Sequence, residues 1–144
     1  MATLAADIRT FIVGSTDIAA VFPGVVAPGA VEHASVRENP PVPRLWYGLH
    51  RKDEELDLSN IGGMVNSQWD VEVHSDDDAE SITIAGAVKD FVHGHIGTFG
   101  SRTAWSVKAE DHDEEYVPRG DASEDGIYVS AFQMTIWHDS TAST

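Results

Sequence analysis

Apolar residues recur along this chain with two periods, and the predicted elements change where the period changes. Leu4, Ile8, Phe11 and Ile12 fall at i, i+4, i+7 and i+8, which is one stripe of a helix. Thr3 is placed to cap that helix, and Asp7 lies in its first turn, where a negative charge suits the helix dipole. Gly14-Ser15-Thr16 interrupts the stripe. Asp17 is then positioned to cap a second short turn, residues 18–21, which Pro23-Gly24 stops. The two pieces predict one broken helix covering a sheet. Residues 25–43 read as a connection, because Pro28-Gly29 and the Asn39-Pro-Pro-Val-Pro43 cluster favour extended backbone and cannot donate to a central ladder.

From there the period shortens to two. In Arg44-Leu-Trp-Tyr-Gly-Leu-His50, Leu45, Tyr47 and Leu49 point one way and Trp46, Gly48 and His50 the other. A polar stretch, residues 51–55, and a Gly62-Gly63 flexible point lead to Gln68-Trp-Asp-Val-Glu-Val-His74. This second strand alternates cleanly, with Trp69, Val71 and Val73 inward. The two strands predict a long hairpin whose connection exceeds what a tight turn requires.

Asp77 followed three residues later by Glu80 predicts a capping-box start. Ile82, Ala85, Val88 or Lys89, Val92 and Ile96 then recur at helical spacing, widened by Ile84 and Phe91. The helix is expected to run to about His93, where Gly94 and Gly97 end it. Residues 102–108 alternate again through Trp105 and Val107, and the acidic stretch 110–115 is expected to be a hairpin tip. In the last strand, residues 127–138, Tyr128, Phe132, Met134 and Ile136 share one face; Val129, Ala131, Thr135 and Trp137 share the other. The expected fold is α+β, in the order α-β-β-α-β-β, with a mixed or antiparallel sheet of about four strands and two helices packed on one face. One domain is expected over residues 1–139, with 140–144 a small, polar, disordered tail.

Composition changes this picture in one respect. At 144 residues with 42% apolar and 8% aromatic content, the chain is long enough to bury a core. No apolar run approaches the roughly 18–20 residues of a membrane span, and the first residues have neither the basic start nor the apolar stretch of a secretory signal. With no cysteine, disulfides and thiol chemistry are out of reach, which fits synthesis in a reducing cytoplasm. The unusual feature is charge. Twenty-four Asp and Glu against nine Lys and Arg leave −15, with no basic stripe to neutralise phosphates, so sequence-reading of DNA or RNA is not expected. Solubility, in particular in a salt-rich host, is one reading of the acidity.

Chemistry-bearing motifs are few. His93-Gly94-His95 could join His74, His112 or His138 around zinc, but no ligand spacing supports it, and a solvated helix end accounts for the pair. Residues 110–115 could hold a hard cation but lack the glycine and spacing of an EF-hand loop. Asp76-Asp77-Asp78 suits a helix N-terminus. There is no G-x-S-x-G, Walker loop or H-E-x-x-H, and Gly94, Gly97 and Gly100 follow a helix instead of opening one. No catalytic, cofactor or metal residue is assigned. The competing enzymatic reading is a metal-dependent one built on the His and Asp clusters. Large groups on both faces of the first and last strands, Trp46 and Tyr47, Phe132 and Trp137, make those four the expected interface residues, since one helix layer covers only one face.

The succession of elements is itself informative. A helix and a short Asp-led turn end at Phe22-Pro23; a proline-led strand, Pro41-Val-Pro-Arg-Leu-Trp-Tyr47, leads through a glycine-bearing loop to Gln68-Trp-Asp-Val-Glu-Val. An acidic-capped helix, Asp77-Asp-Ala-Glu-Ser81 to His93, precedes a last strand ending Phe132-Gln-Met-Thr-Ile-Trp-His138. This resembles the small tail-completion proteins of long-tailed phages, a group that includes tail terminators. The resemblance covers nearly the whole chain in order and texture, without a signature residue; residues 25–43 and 110–115 are longer than the family's usual pattern. It implies a virion protein of the head–tail junction, assembled in the host cytoplasm. It further implies a ring, usually of six, that caps the tail tube and meets the head connector, while DNA passes through without specific binding. On that reading the acidity gains a use, because negative walls repel phosphates, and Asp53, Glu54, Glu55 and Asp57 are the candidate lumen residues. A head-completion or connector-adaptor protein fits the same pattern.

Overall fold

The structure, a computed structural model, describes residues 3–25, 30–33, 43–55, 64–117 and 127–139, with backbone alone at 33, 50–55, 64, 111, 117 and 139. In chain order it contains α1 (Leu4–Val13), α2 (Thr16–Val21), β1 (Val31–His33), β2 (Arg44–Glu55) and β3 (Met64–Ser75). These are followed by α3 (Asp78–Val92), β4 (Gly97–Phe99), β5 (Arg102–Val117) and β6 (Ile127–Asp139). The strands form one mixed sheet in the order β1-β2-β3-β6-β5-β4. β1 runs parallel to β2; the other neighbours are antiparallel. The α+β class holds, with three helices and six strands among the described residues instead of two and about four. β1 and β4 are three residues each, too short for alternation to reveal them, and β1 lies inside the stretch expected to be a connection.

Capping decides where the helices begin. Thr3 Oγ1 accepts from Ala6 N at 3.2 Å and starts α1. α2 is capped by Ser15, whose Oγ accepts from Ile18 N at 3.1 Å, and not by Asp17, which sits in the first turn. At α3, Asp77 Oδ1 accepts from Ala79 N at 3.2 Å. Glu80 does not close the expected box directly: its Oε1 accepts from Ser75 Oγ at 2.6 Å, and Ser75 Oγ accepts from Asp77 N at 3.0 Å. The reciprocal logic of the capping box survives, relayed through a serine of β3. The chain leaves α3 through Gly94 at φ +80, a left-handed conformation that favours glycine. Ile96 therefore falls outside the helical stripe and is 74% exposed.

Register sorts the sheet into two faces. On the helix-covered face, Tyr47, Val71 and Phe132 lie opposite one another across β2, β3 and β6, and Trp69, Met134 and Ala109 do the same across β3, β6 and β5. With Leu45, Val73, Ile136 and Val107 they pack on Ile8, Ile12, Ile18, Ile84, Val88 and Val92 in one buried cluster. On the opposite face the rows are Trp46, Glu72, Ala131 and Gly48, Asp70, Gln133, Glu110.

α1 touches both edges of the sheet. Arg9 Nε donates to Val31 O of β1 at 3.2 Å, and Asp7 is held by Ser101 and Arg102 at the β4–β5 turn. A helix about 15 Å long reaches both edges only because the sheet curls around it.

Two strands are longer than expected. β2 continues through Glu55, so residues 51–55 are ladder and not loop. β5 continues to Val117, so the acidic stretch 110–115 is an edge-side strand paired with β6 and not a hairpin tip. Bulges at Ala104/Ser106 and Glu110/Asp113 carry it past β6. The first bulge also separates Trp105 from Val107, which alternation had placed together: Val107 is 1% exposed and Trp105 54%.

Candidate interaction surfaces

The four aromatic residues expected at an interface divide between the two faces. Tyr47 and Phe132 are 3% and 2% exposed and belong to the core. Strand alternation placed them correctly opposite Trp46 and Trp137, but their face is the one that the helices bury, which removes them as interface residues. Trp46 and Trp137 are half-buried on the other face. Most of what surrounds them there is polar, Asp70, Glu72, Gln68, Gln133 and Lys108, so this face is less apolar than expected.

Trp46 has close partners within its own chain. Arg44 Cζ stands 4.6 Å from its ring centre, and the His74 ring lies edge-on at 4.7 Å. Arg44 Nε donates to His74 Nδ1 at 2.9 Å. A ring accepting at Nδ1 carries its proton on Nε2, and Nε2 faces Glu72 Oε1 at 3.6 Å. The neighbouring His74 ring holds the Glu72 carboxyl below the usual carboxylate range, against the opposing effect of partial burial. Beside this cluster, Asp70, Glu72, Asp113, Ala131, Phe132 and Gln133 line an open concavity of about 320 Å³.

Among the described side chains, three further histidines are tied into the structure and a fourth, His112, lies on the surface. His93 Nδ1 accepts from Ala109 N at 3.0 Å, closing part of the β5 edge, and Gly94 N donates to Val107 O at 2.7 Å beside it. The His95 ring packs at 4.4 Å on Phe11, and its Nε2 is 2.6 Å from Thr98 O. His138 Nε2 lies 3.3 Å from Ser67 Oγ, fully buried. His112 is 3.8 Å from Glu114 on the surface. Among the described residues no three His, Cys, Asp or Glu side chains converge as a metal site would require.

Exposed apolar surface lies elsewhere. Leu49 is 50% exposed beside the β2 bulge, and Ile96, Trp105 and Tyr116 are 74%, 54% and 49% exposed. A second concavity, about 250 Å³, is lined by Thr3, Leu4, Ala5, Leu49, Ser67, Trp69 and His138 at the N-terminal end of α1. Of the acidic candidates, Asp53, Glu54 and Glu55 close β2 opposite Asn66, Val65 and Met64. Asp57 lies outside the described residues.

No protein-family model matches the chain. A comparison with curated sequences finds no relative. Among solved structures, a chain in the virion of a native gene transfer agent (GTA) particle superposes with a TM-score of 0.65 at 14% identity, over 95% of each chain. The sheet and its helices thus share a fold, end to end, with a component of a virion particle.

Proposed function

We propose that this protein is a structural virion component that forms a ring at the head-proximal end of a phage tail, capping the tail tube and meeting the head connector. The observation that carries this reading is the likeness in fold to a GTA virion chain, which spans 95% of both chains. Three features of the chain support it. The element order resembles tail-completion proteins. Exposed apolar groups at Leu49, Ile96 and Trp105 suit a part made to be covered. A net charge of −15 suits a wall past which DNA slides without adhering.

In this role the partners are further copies of the chain, in a ring of about six, the tail tube protein and the neck. The site of action is the head–tail junction after assembly in the host cytoplasm, and the protein acts as an assembly part and not as a catalyst. The acidic end of β2, Asp53 to Glu55, with Asp57 beyond it, is assigned to the lumen.

Electron microscopy of purified protein mixed with tail tubes or with DNA-filled heads tests the assignment. Rings seated on tube ends support it. Rings on heads alone would make the protein a head-completion or connector-adaptor component, and binding to neither would overturn the proposal. Reversing charge at two or more of Asp53, Glu54, Glu55 and Asp57 is expected to leave the fold intact and hinder DNA passage. Fully infectious particles from such variants would remove these residues from the lumen.

A further inference from the structure

Arginine can only donate hydrogen bonds, so the 2.9 Å contact from Arg44 Nε to His74 Nδ1 requires a bare lone pair on that ring nitrogen. The ring is therefore neutral, with its one proton on Nε2. His74 is 6% exposed, and Nε2 has no hydrogen-bond partner among the described residues; Glu72 Oε1 stands 3.6 Å from it. Arg44 is also buried, with its guanidinium over the Trp46 ring, and the same indole meets the His74 ring edge-on. Three side chains from two paired strands thus hold one another on the face of the sheet away from the helices.

The charges around this ring pull in different directions. On its own strand Glu72 precedes it on the same face, and Asp70 and Asp76 lie further along. Across the ladder β2 brings Arg44, while β6 puts uncharged Val129 opposite and β5 adds Glu115 beyond that. The next row holds Glu32 of β1 opposite Trp46, then Glu72, Ala131 and Asp113. A second proton on the ring would find its counter-charge in Glu72, whose carboxyl is held below the usual range and so stays ionised. That proton, however, must occupy the nitrogen that Arg44 Nε needs. Two N–H groups cannot share the contact, so a protonated ring and an intact Arg44 bond exclude each other.

We propose that His74 is a proton-operated latch on this face of the sheet: the neutral ring clamps Arg44 beside Trp46, and the protonated ring gives up that bond and pairs with Glu72. Glu72 lines the 320 Å³ concavity, so the latch joins the packing of a half-buried tryptophan to the charge of the surface beside it. Histidine exchanges its proton within the range that cells and their compartments span, which makes the arrangement of this corner sensitive to pH. The inference goes beyond the ring reading and does not depend on it.

Nuclear magnetic resonance of the full chain, labelled with nitrogen-15 and titrated between about pH 8 and 5, tests it. At the alkaline end the His74 ring should carry its proton on Nε2, and the Arg44 Nε–H should exchange slowly with water. On acidification the ring should gain a proton at Nδ1, and in the same step the Arg44 Nε–H should lose several-fold of its protection while the Trp46 indole signals move. A ring protonated at Nδ1 from the start, a ring still neutral at the acid end, or protonation with Arg44 protection unchanged would each overturn the latch. His74→Asn supplies a second reading, because an amide oxygen can accept from Arg44 and cannot take up a proton in this range. Arg44 protection in that variant should not change with pH, and the same acid step there would overturn the proposal by placing the titrating group elsewhere. Glu72→Gln removes the counter-charge and should move the step to lower pH; an unmoved step would overturn the pairing with Glu72.

Discussion

Asp7 and Arg102, 95 positions apart in the chain, form a buried ion pair, with Arg102 Nε 2.5 Å from Asp7 Oδ2 and side chains 0% and 2% exposed. The same carboxylate accepts from Ser101 N at 2.7 Å and from Ser101 Oγ at 3.0 Å. The pair ties the first helix to the turn entering β5. Arg102→Ala leaves the carboxylate buried without its counter-charge and is expected to cost about 3–5 kcal/mol, whereas replacing both residues with apolar groups of similar volume should cost much less. Urea unfolding of the single and double variants measures the difference. Equal losses would mean that the charge itself is not what the fold needs.

Gly100 is a companion to that pair. It adopts φ +64, and a Cβ there would come within 2.7 Å of Asp7 Cα. Gly100→Ala combines an unfavourable backbone with a collision against α1, so a loss of more than about 1 kcal/mol is expected. Gly86, inside α3, has nothing within 4 Å of the added carbon. Gly86→Ala should stabilise by about 0.5–1 kcal/mol and serves as the control. Thermal melts of the two variants should move in opposite directions.

Tyr47 OH donates to Ala5 O at 2.7 Å, fastening β2 to α1. Burial pushes its hydroxyl up to about 12, with Glu32 adding to the rise and Arg9 opposing it. The native state therefore keeps its proton where the unfolded chain, near 10.0, has begun to lose it. Stability from this group is complete below pH 10 and declines as pH rises through about 12. Tyr47→Phe should cost about 1 kcal/mol at neutral pH, by removing one hydrogen bond, and should flatten the alkaline decline. Stability curves between pH 9 and 12 provide the check, and parallel curves for the two proteins would contradict it.

Phe132 and Trp137 share one strand and differ in fate. Phe132→Ala should cost roughly 3–5 kcal/mol, because its ring is 2% exposed within the core. Trp137 is half-buried on the opposite face, and Trp137→Ala should cost clearly less in the isolated chain. If ring assembly falls with Trp137→Ala while the melt barely moves, the outer face also takes part in assembly.

Periodicity was enough to identify α1, α3, the four long strands and which residues of a strand share a face. Burying one face imposes a period on the residues that do it, and that period is readable without knowing what covers them. Asp77 at the α3 cap and Phe132 opposite Trp137 belong to this class. Three-residue strands such as β1 and β4 leave no period to read. At Trp105, one inserted residue reverses the alternation, and only the partner strand shows that it has happened.

Tertiary structure decided the rest. Asp7 looks like any acidic first-turn residue until the curled sheet brings Arg102 to it. Tyr47 and Phe132 look as fit for an interface as Trp46 and Trp137 until the helices choose a face. The exposure of Ile96, and the place of Leu49 beside a groove, follow from a turn at Gly94 and from the N-terminal end of α1. Local sequence specifies which side of an element is apolar, because burial acts on neighbours one turn or one pleat apart. Which charges pair, and which apolar groups stay uncovered, depends on residues brought together from across the chain.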